Sequence, residues 1–259
     1  MEKILVATPI SSHAKYCFKK FIENTRLIDY PNYDILIVDN SRENDFFEEL
    51  KNEKEIIVLK DDTQEEKNKL RLISSRNKII EYALENNYDY ILMLDSDVIV
   101  PKNIIKELLN NNKEIVSGLY YNYFKIDGQI KYRPVCWCDI TDEEFEDIKK
   151  QLNLPNIVKS AIDLRRFLTN EEAESNELIK VKIASAGCML IKKNVFSEIK
   201  YGLLNVPEKY STGDDIYFFT KARERNFEIF CNTKLKCGHL IDEKYKKDGE
   251  GNLIHPLNL

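Results

Sequence analysis

Short apolar runs alternate with longer amphipathic stretches through the first 120 residues of this chain. The runs Lys3–Thr8, Tyr33–Asp39, Glu55–Lys60, Tyr90–Asp95 and Glu114–Tyr121 predict five strands. Unbroken apolar character marks strands that are buried on both faces of a parallel sheet. Between them, Lys15–Thr25, Asn44–Asn52, Leu70–Asn86 and Pro101–Asn111 predict helices. In the third of these, Leu72, Ile73, Ile79, Ile80, Ala83 and Leu84 share one face at helical spacing. Pro101 suits the first turn of the fourth, where a missing N–H costs nothing. Strands alternating with helices at this spacing predict βαβ units. A mainly parallel sheet with helices on both faces follows, and its carboxyl rim carries Asp39, Asp95 and Asp97 together.

The rhythm breaks after Tyr123. Asp127-Gly128 predicts a tight turn between Phe124–Ile126 and Gln129–Val135. Thr141 and Glu144 form a capping box opening an acidic helix over about Asp142 to Leu152. The polar stretch from Arg165 to Glu177 reads as a partly helical surface insertion. Regular structure resumes with strands at Leu178–Ala184 and Cys188–Ile191, helices at Lys193–Ile199 and Asp214–Arg225, and strands at Phe227–Cys231 and Lys234–Gly238. The chain thus reads as a single α/β domain over residues 1–242, with an insertion at about 124–178 and a C-terminal tail over 243–259.

Composition narrows the classes. With 39 Lys and Arg against 44 Asp and Glu, the net charge is −5, which argues against nonspecific nucleic-acid binding and a polybasic membrane anchor. No apolar run reaches the ~18 residues of a transmembrane helix, and the start of the chain lacks a signal-peptide pattern, so the cytoplasm is the expected compartment. The six cysteines, at 17, 136, 138, 188, 231 and 237, show no disulfide spacing. Cys136 and Cys138 lack the further ligands of a zinc site and read as reduced structural thiols.

Two carboxylate pairs carry the candidate chemistry. The apolar strand Ile91–Leu94 runs into Asp95-Ser96-Asp97, and ligands of open α/β sheets collect outside the carboxyl ends of strands. Such a pair suits Mg²⁺ or Mn²⁺ held together with substrate phosphates, and it equally suits a turn before Pro101. Gly213-Asp214-Asp215 opens a helix, where Thr212 would cap it and two carboxylates would face its positive end whether or not they do chemistry. His239 follows a strand and a glycine, as a ligand or as a satisfied structural residue. The eight glycines make neither a dinucleotide-binding fingerprint nor a P-loop. Neither a nucleophile elbow nor a zincin helix occurs.

The order of these features, from the first two βα units through Asp39, Arg76-Asn77, Asp95-Ser96-Asp97, Gly187–Ile191 and Gly213-Asp214-Asp215 to His239, resembles GT-A fold glycosyltransferases, nearest the broad family 2 type. The resemblance implies a GT-A, Rossmann-like fold and a metal-dependent, inverting transferase of the hexosyltransferase type. Its donor would be a nucleotide-diphosphate sugar carrying UDP or GDP, and its acceptor a carbohydrate, lipid-linked or protein hydroxyl. On that pattern Thr8, Pro9 and Asp39 hold base and ribose, and Arg76 and Asn77 lie near the diphosphate. Asp95 and Ser96 meet ribose or donor sugar, and Gly187 borders it. Asp97 with His239, and Asp95 beside them, hold the divalent metal. Asp215 is the base and Asp214 its acceptor-orienting neighbour, an aspartate where the family pattern has glutamate. Tyr120, Tyr121, Tyr123, Phe124 and Trp137 flank the site, as sugar-stacking or as packing residues. Two rivals remain: a haloacid-dehalogenase-like phosphatase, which usually carries its aspartate pair on the first strand, and a catalytically silent nucleotide-sugar-binding module.

Overall fold

The structure, a computed structural model, describes residues 1–152, 154–155, 158–206 and 213–241, with the backbone alone of 246–247 and 253–254. The N-terminal half follows the apolar pattern: β1 (Ile4–Ile10), α1 (Lys15–Thr25), β2 (Tyr33–Asp39), α2 (Asp45–Lys51), β3 (Ile57–Lys60), α3 (Asn68–Glu85), β4 (Tyr90–Leu94), β5 (Val98–Ile99), α4 (Ile104–Asn110) and β6 (Ile115–Leu119). The insertion holds the hairpin β7 (Tyr121–Ile126) and β8 (Gln129–Pro134), then β9 (Trp137–Cys138), α5 (Asp142–Gln151), β10 (Arg166–Phe167) and α6 (Asn170–Glu174). After it come β11 (Leu178–Lys180), β12 (Cys188–Lys192), α7 (Lys193–Phe196), α8 (Asp214–Glu224), β13 (Ile229–Lys236) and β14 (Gly238–His239), and in the tail β15 (Lys246–Lys247) and β16 (Leu253–Ile254).

Eight strands form the central sheet in the order β11-β13-β6-β12-β4-β1-β2-β3. β1, β2, β3 and β4 run parallel, as do β6 and β13, while β12 runs antiparallel to both its neighbours. Strand alternation divides the core between the two faces. Leu5, Ala7, Ile91 and Met93 pack with Ile79, Ile80 and Ala83 of α3 and with Phe218 and Phe219 of α8. Their immediate neighbours Ile4, Val6, Leu92 and Leu94 pack with Phe21 of α1 and Ile104, Ile105 and Leu108 of α4. Helices therefore cover both faces.

Local signals in the insertion hold. Asp127 and Gly128 adopt φ 53° and 76°, the left-handed pair that a two-residue hairpin turn of type I′ requires. The Glu144 N–H donates to Thr141 Oγ1 at 3.1 Å, and the Thr141 N–H returns a bond to Glu144 Oε2 at 2.6 Å. All six cysteines are free and buried.

The fifth early strand, β6, joins the same sheet at one remove, because β12 enters between it and β4 and pairs with both. Three expectations need correction. The segments Phe227–Cys231 and Lys234–Gly238 are largely one strand, β13, with a register shift between Cys231 and Lys236. Its polar middle stays in the sheet because Thr233 exchanges hydrogen bonds with the Glu177 backbone. The strand expected over Leu178–Ala184 stops at Lys180. Pro101 stands before α4, whose N-cap is Asn103. The expected cap Thr212, most of the tail and His255 lie outside the described residues. Among the described residues, no helix is long and apolar enough to cross a membrane.

Leu92 sits in the middle of the sheet and is 0% exposed, whereas Ile162 in the insertion is 65% exposed. Leu92→Ala is expected to cost about 2–5 kcal/mol. It should lower the urea midpoint with an unchanged slope, while Ile162→Ala stays within about 0.5 kcal/mol of wild type.

Candidate active site

The carboxyl ends of β1, β2 and β4 meet at one rim, since Ile10 is in register with Asp39 and Ala7 with Met93. Beyond β4 the chain turns sharply, with the Val98 N–H donating to the Asp95 carbonyl at 3.0 Å. This turn presents Asp95, Ser96 and Asp97 at the rim. β5 then pairs antiparallel with β14, matching Val98 to His239. The Leu240 N–H donates to the Asp97 carbonyl at 2.7 Å, which fixes the late histidine beside the aspartate.

His239 Nε2 lies 3.6 Å from Asp97 Oδ2. Nδ1 is 2.9 Å from the Tyr121 carbonyl, which can only accept, so Nδ1 carries the proton and donates. A neutral His239 then turns the Nε2 lone pair toward Asp97. Burial resists protonation of this imidazole, yet the negative carboxylate of Asp97 beside it and the Tyr121 carbonyl outweigh it and raise the pKa. The Nε2–Oδ2 gap is too long for a hydrogen bond and short enough for both atoms to ligate one ion. Among the described residues no three His, Cys, Asp or Glu side chains form a metal cluster of their own. A carboxylate and an imidazole with the remaining positions open is a donor set that fits a cation completed by diphosphate oxygens.

The second acidic motif arrives on α8. Gly213 is the N-cap, and Asp214 and Asp215 occupy the first turn, where the helix dipole favours negative charge. Asp215 Oδ1 accepts the Ile216 N–H at 2.8 Å. A Cβ on Gly213 would collide with that oxygen, so a larger residue there would push the Asp215 carboxylate aside. Arg76 of α3 joins the two motifs: Nη1 donates to Asp214 Oδ2 at 2.7 Å and Nη2 to Asp95 Oδ1 at 3.0 Å. The guanidinium is buried, and the two carboxylates outweigh the burial and hold it charged. Burial raises the Asp95 carboxyl; Arg76 opposes this, but Asp97 and Asp214 add to it. Asp215 is likewise raised by burial, against Arg76 and the Ile216 N–H. Gly187 lets these elements close: a Cβ there would lie 2.7 Å from Asp95 Oδ2 and 2.8 Å from the Tyr120 hydroxyl.

The remaining expected residues are placed differently from one another. Pro9, Ser96 and Asp97 line a cavity of about 230 Å³ together with Asn40 and Arg71, whereas Thr8 is buried within β1 and does not border it. Asp39 reaches the rim but is fully buried. Its Oδ2 is ion-paired to Lys60 at 2.8 Å, and its Oδ1 accepts from the Ser41 N–H and hydroxyl at 3.0 and 2.5 Å. Asn77 turns away and exchanges hydrogen bonds with the Tyr201 backbone at 2.7 and 3.0 Å. Of the aromatics, Tyr120 reaches the site, with its ring edge-on to His239 at 5.0 Å. Tyr121 and Tyr123 pack on Tyr132 of the hairpin, while Phe124 and Trp137 close on Phe167.

Sequence reasoning missed Arg71. It lines the 230 Å³ cavity and a neighbouring one of about 480 Å³ formed with the loops after β2 and β3. It is 8% exposed, donates from Nη2 to Asn68 Oδ1 at 2.8 Å, and leaves Nε without a partner among the described residues. The signal was present: Arg71 and Ser75 continue the buried row of Ile79 and Ala83 at four-residue steps, so α3 carries an arginine on its core face. Asp61 was missed as well. It accepts from Ser74 and Ser75 at 3.0 and 2.7 Å and anchors α3 to the end of β3.

No curated protein sequence matches the chain. Among solved structures, similarity extends to GalNAc-T7 with UDP, GalNAc and Mn²⁺, at a TM-score of 0.60 and 14% identity over 92% of this chain and 44% of that one. It extends also to the mannosyltransferase PcManGT from Pyrobaculum calidifontis in complex with GDP-Man and Mn²⁺, at 0.53 and 13% over 93% and 57%. S. aureus TarS 1-349 in complex with UDP follows, at 0.50 and 14% over 94% and 62%. The chain thus spans about half the length of these structures, and at such identities they speak for the fold alone, which is GT-A. The model for Glycosyl transferase family 2 matches residues 14–200, from the start of α1 past α7 and through the Asp95-Ser96-Asp97 turn. That span covers most of the chain and the rim built by α3, β4 and β12, so the protein belongs to glycosyl transferase family 2.

Proposed function

We propose that this protein transfers a hexosyl unit from a UDP- or GDP-sugar to an acceptor hydroxyl in one inverting displacement, with Mn²⁺ or Mg²⁺ as cofactor. The observation carrying this reading is the convergence at one rim of Asp97 on His239, and of Asp95 and Asp214 on Arg76. The UDP, GDP-Man and Mn²⁺ bound by the fold relatives support the donor and metal classes. The cytoplasm remains the proposed compartment.

The donor diphosphate lies in the cavity bounded by Pro9, Asn40, Ser96 and Asp97, where Arg71 supplies positive charge and an unpartnered N–H. Asp97 and His239 would hold the cation, with Asp95 behind them. Bound there, the cation neutralises charge developing on the leaving diphosphate. Asp215 accepts the proton of the acceptor hydroxyl as its oxygen attacks the anomeric carbon on the face opposite the diphosphate. Asp214, ion-paired to Arg76, holds the first turn of α8 so that its neighbour faces the acceptor.

Asp215→Asn keeps an oxygen for the Ile216 N–H and removes the base. Transfer should fall by roughly 10²–10⁴ with UDP or GDP affinity little changed and the fold intact. The wild-type rate should decline as pH drops through the raised Asp215 pKa, above the ordinary aspartate value of about 4. This acid limb should be missing from the variant's residual rate. Near-wild-type transfer by the variant would move the base elsewhere, and donor binding by wild type without any turnover would favour the silent binding module.

Removal of the metal is the second test. A chelator, Asp97→Asn and His239→Ala should each weaken nucleotide-sugar binding by about tenfold or more in calorimetry, since Asp97 and His239 would hold the cation that offsets the diphosphate charge. Unchanged affinity in all three would refute the metal assignment. A third measurement concerns Gly187→Ala, whose methyl must displace Asp95 or Tyr120. Its transfer rate should drop about tenfold or more while circular dichroism stays native, because Asp95 stands behind the proposed cation ligands and small positioning errors at a reacting site cost that much.

A further inference from the structure

A cavity of about 720 Å³ lies between the insertion and α8. Its wall includes Val158, Ile162, Leu204, Val206, Ile216 and Phe219, so most of what an occupant meets is apolar. The polar groups beside them are already engaged. Lys182 donates to the carbonyls of Ile162 and Leu164 and pairs with Asp139. Arg223 makes two bonds to the Asp139 carboxylate, both 2.9 Å. Asp163 accepts the N–H groups of Lys159 and Ser160, Glu224 pairs with Lys221, and the Thr220 hydroxyl donates to the Ile216 carbonyl.

Arg165 is the exception. Among the described residues its guanidinium meets the Trp137 ring, 5.6 Å from the centroid, and forms no hydrogen bond or ion pair. The charge of Asp215 reaches it and opposes the lowering of its pKa by burial. One wall residue, Ile216, directly follows Asp215 in the chain. A sugar or peptide occupant would need many hydrogen-bonding partners, and this wall has few left to give. A cation without a carboxylate, at the edge of an apolar cavity, complements an apolar body with one anionic group.

We infer that this cavity is the acceptor subsite and that the acceptor is an anionic amphiphile: its chain lies against the apolar wall, its anion meets Arg165, and its hydroxyl faces Asp215. The inference rests on Asp215 being the base of the proposed transfer. Calorimetry with n-decyl phosphate, inorganic phosphate and uncharged octyl glucoside as probes tests it on the whole protein. Decyl phosphate should bind at least about tenfold more tightly than either control, and Arg165→Gln and Ile162→Glu should each weaken it about tenfold or more with UDP and GDP affinity unchanged. Ile162 is exposed, so its variant is expected to fold, and the nucleotide titration checks this. Co-sedimentation with phosphatidic-acid vesicles but not phosphatidylcholine vesicles would identify a bilayer source for the amphiphile, and its absence alongside decyl phosphate binding a dissolved one; both support the inference. Equal binding of octyl glucoside, or indifference of decyl phosphate to both substitutions, would overturn it. Nucleotide binding without decyl phosphate binding would overturn the cavity alone. Decyl phosphate binding that depends on Arg165 and Ile162, with neither nucleotide bound, would leave the cavity standing and remove the transferase reading.

Discussion

A single buried cation holds the rim together. Arg76 bonds to partners 138 and 19 positions away along the chain, so a guanidinium on α3 ties the first turn of α8 to the turn after β4. Removing one partner of such a set leaves an uncompensated buried charge, worth about 3–5 kcal/mol. The guanidinium also rests on the Tyr201 ring, 5.2 Å from its centroid, and Asn77 grips the backbone of that tyrosine. Two consecutive residues of one helix therefore fasten three distant segments. Lys60 does the same at the other end of the rim, binding Asp39 and the carbonyls of Ser41 and Glu43 and so setting the loop after β2.

The parts of the fold legible in the sequence were those fixed by local physics. β2 and α1 begin and end where the apolar and amphipathic patterns do, because a strand buried on both faces tolerates no polar interruption. The hairpin turn and the capping box were equally plain, since their geometry is written in adjacent residues. What was hidden depended on partners far along the chain. Asn232 and Thr233 looked like a break, yet the Thr233 hydroxyl and Asn232 amide find partners in Glu177 and Asn111. The place of β12 between β4 and β6 leaves no trace in any of the three strands, all of which are buried over nearly their whole length.

The site divides in the same way. Asp95, Asp97, Asp215 and His239 stood out because carboxylates and a histidine at strand or helix ends break the apolar pattern. Arg76 and Asn77 stood out only by resemblance, and their contacts differ from what motif order suggests: one is locked between carboxylates and the other grips a backbone. Arg71, five positions earlier on the same helix, is the arginine left facing the cavity. Motif order identifies which residue types gather at a rim, but the helix register decides which of two buried arginines borders the cavity.

The antiparallel β12 also sets the order in which the chain becomes whole. During synthesis β4 and β6 emerge with their facing edges bare, because the strand that belongs between them is still some 70 residues from β6. Until Cys188–Lys192 arrives, β1 to β4 form an open four-strand sheet and β6 has no neighbour. The hairpin and helices of the insertion fill that interval, standing between a half-built sheet and the segment that closes it. A nascent chain halted within the insertion would expose two apolar strand edges at the centre of the molecule, the kind of surface that chaperones bind and that neighbouring chains pair with.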